Sequence, residues 1–185
     1  MKSNNKGFSL IELIVAVLIM GIVAGGAIYA FNVVHNARTS SAASVLANVL
    51  RQSRQKAMAV TNSTDADGVS GVYLHIYTSD GQVYADLFKG STEKLVSEKL
   101  GNDTIQIALR QADVTNPSNI IGTAVIGEIG SADAKIYFKK SSGAISKITV
   151  GSADKSNMNE LYITGLGEDQ KVVLVKATGR AYFVE

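Results

Sequence analysis

A single acidic residue, Glu12, interrupts a long apolar run that extends from Phe8 to Phe31. A carboxylate at the centre of a bilayer costs on the order of 3 kcal/mol, and less near the surface, so it needs a partner. No Lys or Arg lies within helical reach of Glu12 on its C-terminal side. Cleavage of the chain between Gly7 and Phe8 would supply a partner, because it frees an α-amino group at Phe8. The pattern therefore predicts a charge pair between Glu12 and a processed N-terminus.

The apolar run itself is long enough to cross a membrane. At about 1.5 Å per residue, a helix over Phe8–Phe31 would extend roughly 36 Å, and a bilayer core is about 30 Å thick. Lys2 and Lys6 precede the run and would hold the N-terminus on the cytoplasmic side. A secretory signal peptide is an alternative, but its core is usually about 7–15 residues long and is followed by a small-x-small cleavage site. A plain single-pass anchor is a second alternative, and neither alternative explains Glu12.

The segment Gly7-Phe8-Ser9-Leu10-Ile11-Glu12-Leu13 resembles the class III signal of type IV prepilins and type II secretion pseudopilins. The resemblance implies that a prepilin peptidase cuts after Gly7 and methylates Phe8, and that Glu12 pairs with the N-terminal amine of a neighbouring subunit. Tyr29 stands where many major pilins carry a proline that kinks the helix. The residues expected in the membrane and in the filament core are Leu10, Ile11, Leu13, Ile14, Val17, Leu18 and Ile22.

The same resemblance implies partners and a location. The partners are copies of this chain or other pilins, the prepilin peptidase, the cytoplasmic membrane and the pilus assembly platform. The precursor would be a single-pass protein of the cytoplasmic membrane, and the mature chain would join a filament on the cell surface. The charges, 18 basic and 16 acidic residues, are too balanced to indicate a nucleic-acid binder, which needs a clustered basic surface.

The helix is expected to continue beyond the membrane to about Val60. Apolar residues recur there at the spacing of one helical face, which indicates a helix packed on a domain core. We therefore divide the chain into a leader (1–7), a membrane and filament-core helix (8–31), an amphipathic continuation (32–61) and a β-rich head (62–185). The apolar face comprises Val34, Ala37, Ala42, Val45, Leu46, Val49, Leu50, Ala57 and Val60.

Short alternating runs after Gly71 predict antiparallel strands. Val72–Tyr77 and Val83–Phe88 flank Asp80-Gly81, a typical hairpin turn. The fold class is therefore α+β, with a long N-terminal helix on an antiparallel sheet of about eight strands, and the segment 110–122 as a long connection. The closing Thr178-Gly179-Arg180 is similar to that of GspH/FimT-type minor pseudopilins. The remaining predicted elements are a pair Lys94–Leu100 and Thr104–Leu109, a hairpin Ala134–Lys139 and Ala144–Val150, and a meander Leu161–Thr164, Lys171–Lys176 and Arg180–Val184.

Few residues of the head could carry chemistry. The absence of cysteine excludes thiolate catalysis, disulfides and cysteine zinc sites. The two histidines, His35 and His75, fall in no catalytic or metal-binding pattern. Asp65 and Asp67 begin like a calcium loop but lack the downstream Glu of an EF-hand, so bound Ca²⁺ there remains an alternative to no cofactor. We predict that the chain is not an enzyme.

The sequence thus predicts a structural subunit of a type IV pilus filament. A minor pseudopilin of a type II secretion or DNA-uptake system is the alternative within the same class. A single-pass, membrane-anchored binding domain is the alternative from another class.

Overall fold

The computed structural model describes residues 9–60, 69–90, 92–113, 115–126 and 132–184. Helix α1 covers Leu10–Ala59 and is followed by strands in two antiparallel sheets. This layout confirms the predicted α+β class. The strands are β1 Val69–Ser79, β2 Gln82–Lys89, β3 Glu93–Asn102, β4 Gln106–Ala112, β5 Ile120–Ile126, β6 Ala134–Lys139, β7 Ile145–Val150, β8 Ala153–Asp154, β9 Glu160–Thr164, β10 Gln170–Val175 and β11 Arg180–Val184.

Helix α1 has 50 residues without a break, and at about 1.5 Å per residue it is roughly 75 Å long. No proline interrupts it, and its three glycines, Gly21, Gly25 and Gly26, cost only about 1 kcal/mol each relative to alanine. The helix ends at Val60, whose backbone is extended and whose N–H donates to the carbonyl of Ala57. The prediction that one helix continues to about Val60 is therefore confirmed.

The two sheets contribute one face each to a shared core. Sheet A has the order β3-β2-β1-β6-β7-β8, and sheet B has the order β11-β10-β9-β4-β5. Helix α1 contacts strands of both sheets, and the N–H of Ile145 donates to the carbonyl of Lys176 at 2.9 Å, which joins β7 to the end of β10. The largest fully buried side chains come from the helix and from both sheets: Phe138, Leu46, Leu50, Leu74, Ile76, Leu87, Ile107, Leu109, Ile126, Ile136, Ile148 and Leu161.

The turn between β1 and β2 confirms the predicted hairpin. Asp80 and Gly81 have φ angles of 51° and 68°, the left-handed values that a two-residue turn of this kind requires. Tyr77 lies opposite Tyr84 in the resulting register. The β6–β7 hairpin and the β9–β10–β11 meander are also present as predicted.

Two details of the predicted sheet are wrong. β3 and β4 do not pair with each other, because the chain crosses between sheets at Asn102–Ile105: β3 pairs with β2, and β4 pairs with β5 and β9. The segment 110–122 is not a connection throughout, since β4 extends to Ala112 and β5 begins at Ile120. With β5 and the short β8, the described part of the chain has eleven strands rather than about eight.

Candidate functional site

The described residues of the head leave the first half of helix α1 uncovered. Every residue from Ser9 to Val34 is exposed, including Ile11 at 66% and Leu18 at 60%. By length and composition this helix could cross a membrane, and none of its most apolar window is buried. Burial of such side chains contributes about 25 cal/mol per Å² of apolar surface, so this half requires either a bilayer or other protein surfaces.

The N-terminus of the helix is closed by a serine N-cap, in a sequence that has the pattern of a capping box. Ser9 is the N-cap, and its hydroxyl accepts a hydrogen bond from the N–H of Glu12 at 3.2 Å. Glu12 lies in the first turn, where a negative charge is favourable beside the unpaired N–H groups. The sequence signal, Ser-x-x-Glu before an apolar run, was available, and the sequence reasoning missed this role of Ser9.

The second half of the helix is buried in the head from Thr39 to Ala57. Ala42, Leu46, Val49, Leu50 and Ala57 of the predicted apolar face are buried. Two members at the membrane side, Val34 and Ala37, are exposed, and Val45 and Val60 are half-buried. The predicted face is thus correct except at its first turn.

Two contacts hold this half of the helix in the head. At its start, Asn36 accepts the N–H of Glu168 at 2.8 Å, and Gly167 lies so close that a Cβ there would be 2.5 Å from the Asn36 side-chain oxygen. Near its end, Arg54 donates from Nε to the carbonyl of Thr178 at 2.7 Å. The helix is therefore fixed to the β9–β10 and β10–β11 turns at two points.

A family model for the prokaryotic N-terminal methylation motif matches residues 2–28. The chain carries this motif, the class III signal of type IV pilins and pseudopilins. The match covers the leader and the exposed half of the helix, and supports a type IV pilin-like or pseudopilin protein. Families with this motif are structural rather than catalytic. Comparison with curated proteins and with solved structures gave no match.

The structure describes only some of the residues that were expected to be functional. Gly7 and Phe8, the expected cleavage and methylation positions, lie outside the described residues, as do Asp65 and Asp67. Glu12 is exposed in the first helical turn. The residues expected in the filament core are exposed along the same free half of the helix: Leu10, Ile11, Leu13, Ile14, Val17, Leu18 and Ile22.

Among the described residues of the head, the carboxylate of Asp86 is fully buried, and the sequence reasoning missed it. It accepts hydrogen bonds from Tyr77 at 2.8 Å and Ser97 at 2.6 Å, and Lys94 Nζ lies 2.5 Å from its Oδ2. Burial alone would raise the pKa of Asp86, but the bonds from Lys94, Ser97 and Tyr77 outweigh it and lower the pKa below its usual value. Asp86 is therefore ionised and acts as a cross-link between three strands.

Several other polar and aromatic groups of the head also contact one another. His75 Nε2 lies 2.9 Å from Asp133, and the Arg110 guanidinium lies 3.3 Å from the centre of the Tyr162 ring. A hydrogen bond from Tyr162 to Asp169 raises the pKa of the tyrosine. Within the described ranges, no three His, Cys, Asp or Glu side chains are grouped as a metal site would require.

Tyr73, Tyr77 and Tyr84 lie on the outer face of sheet A, and they pack across strands. Tyr77 and Tyr84 stack with ring centres 5.6 Å apart, and Tyr73 lies 5.4 Å from Phe88. Because each ring is directed at another ring, this aromatic face stabilises the sheet, in the way that cross-strand aromatic pairs do.

Proposed function

We propose that this chain is a subunit of a type IV pilus filament, processed after Gly7 and assembled through the exposed half of helix α1. The observation that carries the proposal is the contrast within that helix. The half matched by the methylation motif is fully exposed, while the rest is built into the head core. A membrane can cover the exposed half before assembly, and equivalent helices of other copies can cover it afterwards.

Within this proposal, Glu12 sets the axial register between the helices of neighbouring subunits. A carboxylate surrounded by apolar helices is strongly disfavoured unless a cation pairs with it. The amine of a processed Phe8 in a neighbouring copy would be such a cation. A buried charge pair of this kind selects one axial arrangement of the helices, as single buried polar groups do in coiled coils.

The first test is the mass of the mature protein and of its N-terminal peptide. We expect a chain that begins at Phe8 and carries one methyl group on its amine. A chain that begins at unmodified Met1, or one cut near Ala30, would contradict the proposal and favour an anchor or a secretory signal.

A second test separates the charge of Glu12 from its capping role. Glu12→Gln keeps a residue that suits a capping box but removes the charge, whereas Ser9→Ala removes the cap and keeps the charge. We expect Glu12→Gln to abolish filaments and leave the protein in the membrane. Ser9→Ala should assemble, because its loss is limited to about 1 kcal/mol of helix stability. Normal filaments from Glu12→Gln would remove the proposed pairing.

A minor pseudopilin of a secretion or DNA-uptake machine uses the same motif and the same helix. Electron microscopy of cells that express the chain separates the two functions. Long surface filaments built mainly of this chain are expected for a pilin, while a short periplasmic or wall-embedded assembly would favour the pseudopilin.

A further inference from the structure

A groove of about 510 Å³ lies where helix α1 enters the head, between the helix, the start of β2 and the end of β3. It is called the entry groove below. Two cations line it, Arg38 from the helix and Lys99 from β3, and none of the described residues that line it is an Asp or Glu. Val34 and Ala37 add apolar surface on the helix side, so the groove combines positive charge with apolar surface.

The two cations are available to a ligand. Arg38 and Lys99 are both exposed, and the ion pairs found within the described ranges involve neither of them. Like charges in one groove repel each other unless an anion lies between them. Asp80 and Asp103 are exposed on the adjacent turns without lining the groove. A single anionic group between the cations is therefore favoured over a densely anionic surface.

The position of the entry groove along helix α1 indicates where that anion comes from. From Leu10 to Phe31 the helix rises about 32 Å, which matches a bilayer core of about 30 Å. Val34 then lies about 5 Å and Arg38 about 10 Å beyond Phe31, and the headgroup layer on each side of the core is about 5–7 Å thick.

The direction of the Arg38 side chain agrees with this position. Side chains of a helix lean toward its N-terminus, which is the membrane side of α1, and a long basic side chain can extend its charge toward the headgroups. Arg38 is also the first Lys, Arg, Asp or Glu that follows Glu12 in the sequence. The cationic groove therefore lies at the level of lipid phosphates when the first half of α1 spans a bilayer.

We infer that the entry groove binds the phosphodiester of a phospholipid headgroup between Arg38 and Lys99 while the precursor is anchored in the membrane. The inference rests on the membrane-anchored stage of the proposed function. A guanidinium can form two parallel hydrogen bonds to a phosphate, and an ammonium binds it as a point charge. Val34, which is 46% exposed, and Ala37 would contact the carbon chain next to the phosphate. Such binding holds the head against the bilayer until the subunit leaves it.

The first experiment measures how close the lipid phosphorus lies to the side-chain nitrogens of Arg38 and Lys99. The full chain, isotopically labelled on nitrogen, is placed in bilayers of phosphatidylethanolamine and phosphatidylglycerol, and phosphorus–nitrogen dipolar dephasing is recorded by solid-state NMR. Arg38→Gln and Lys99→Gln assign the two signals. We expect both nitrogens within about 4 Å of phosphorus, because a charge-assisted hydrogen bond to a phosphate oxygen is about 2.8 Å long.

Two other exposed cations are matched controls in the same spectra. Arg51 lies on the same helix, about 20 Å further from the membrane than Arg38, and Lys89 lies at the opposite end of β2 from the groove. Arg51→Gln and Lys89→Gln assign their signals, which should show no dephasing. Absence of dephasing at Arg38 and Lys99, or equal dephasing at the two controls, would overturn the inference.

The second experiment separates a lipid headgroup from free phosphate. The full chain in maltoside micelles, which contain no phosphate, is titrated with short-chain phosphatidylglycerol, with inorganic phosphate or with a short-chain galactolipid. The amide shifts of Gly101 and Asn102, which line the groove, report binding. We expect phosphatidylglycerol to bind at least about tenfold more tightly than inorganic phosphate, since it also contacts Val34 and Ala37. The galactolipid should leave these amides unshifted, because it has the chains without the phosphate.

The groove variants complete this titration. Arg38→Gln and Lys99→Gln should each weaken the binding of phosphatidylglycerol about fivefold, whereas Arg51→Gln and Lys89→Gln should leave it unchanged. Unshifted amides around Leu46 show that the head of each variant is folded. Equal affinity for inorganic phosphate and for phosphatidylglycerol would overturn the assignment to a lipid. Equal shifts from the galactolipid would overturn the role of the phosphate.

The bilayer sample also distinguishes failure of this inference from failure of the proposed function. Contacts between the Leu18 methyl groups and the lipid acyl chains report whether the first half of α1 is in the bilayer. If these contacts are absent, the membrane-anchored stage is wrong, and the inference is wrong with it. If they are present while Arg38 and Lys99 show no contact with phosphorus, the inference alone is overturned.

Discussion

The two halves of helix α1 are built from similar apolar residues but differ in what covers them. Leu18, in the first half, is 60% exposed, whereas Leu46, in the second half, is fully buried between the two sheets. Glu12 is the only charged residue of the first half, which is otherwise apolar on nearly all sides, while the second half carries polar residues opposite its buried face. A helix that is apolar all round needs an apolar environment on all sides. The core of the head buries the apolar face of the second half, and the first half requires a bilayer or a filament to cover it.

The largest expected effect tests this difference directly. Leu46→Ala should lower the free energy of unfolding of the head by about 2–5 kcal/mol, because it leaves a cavity in the core. The matched change Leu18→Ala should alter it by less than about 0.5 kcal/mol. Chemical denaturation of the full chain in detergent micelles measures both. Equal losses would show that the two halves of the helix are not energetically separate.

The β10–β11 turn, which holds the second half through Arg54, gives the next largest effect. Gly179 has a φ of 65°, and a Cβ there would lie 1.7 Å from the carbonyl oxygen of Gly143. We expect Gly179→Ala to cost about 2–4 kcal/mol of head stability through strain and displacement of the turn.

Gly90→Ala is the control for Gly179→Ala. Gly90 has a similar φ of 67°, but nothing lies within 4 Å of its Cβ position, so only the backbone strain of about 1 kcal/mol applies. The same denaturation experiment measures both variants. A loss at Gly90 as large as that at Gly179 would mean that the contact with Gly143 has no importance for the fold.

Acid should unfold the head before it affects the exposed first half of helix α1. The folded pKa of Asp86 is lowered, so its contribution to stability is complete above the unfolded pKa of about 4 and is lost as pH falls through the folded value. Near-ultraviolet circular dichroism of the tyrosines should therefore report a loss of stability from pH 5 to pH 2. The far-ultraviolet signal of the helix in micelles should persist in part.

Asp86→Asn tests the origin of that pH dependence. It keeps the shape of the side chain but removes the charge that Lys94, Tyr77 and Ser97 stabilise, so it should cost about 1–3 kcal/mol at pH 7. The variant should also lose stability less steeply than the wild type as the pH falls. An unchanged slope would assign the acid sensitivity to other carboxylates.

The sequence allowed good prediction of features that local chemistry decides. The Asp80-Gly81 turn was predictable because few residues tolerate two successive left-handed backbone positions. The long helix was predictable from an apolar run without proline. The motif around Glu12 was recognisable because a carboxylate in such a run is rare.

Features that depend on distant residues were not predictable. β4 pairs with β9, which begins about fifty residues later, so the neighbouring β3 was a plausible but wrong partner. Strand β5 was not predicted, because the polar segment around Pro117 that precedes it indicated a connection. Asp86 lies on the same face of β2 as Tyr84 and Phe88, opposite the core face with Ala85 and Leu87. Such a position in a strand normally faces water. Its burial depends on Lys94 and Ser97 from the next strand, and no pattern in the residues around Asp86 predicts these contacts.

The smallest expected effect lies at the junction between the two halves of the helix. Asn36→Ala removes the acceptor for the N–H of Glu168 and should cost about 1 kcal/mol. Because the bond joins the start of the buried half to the β9–β10 turn, the effect should be local. The amide of Glu168 should exchange with solvent about fivefold faster, while amides around Leu46 stay protected.

Asn48→Ala is the matched control for this junction. Asn48 accepts a hydrogen bond from Arg51 on the exposed side of the same helix and contacts neither turn through it. Its loss should leave the exchange of Glu168 unchanged. If Asn36→Ala also left that amide unchanged, the boundary between the halves would be set by apolar packing from Thr39 onward and not by this bond. If it instead exposed the amides around Leu46, the bond would support the whole buried half of the helix and its effect would not be local.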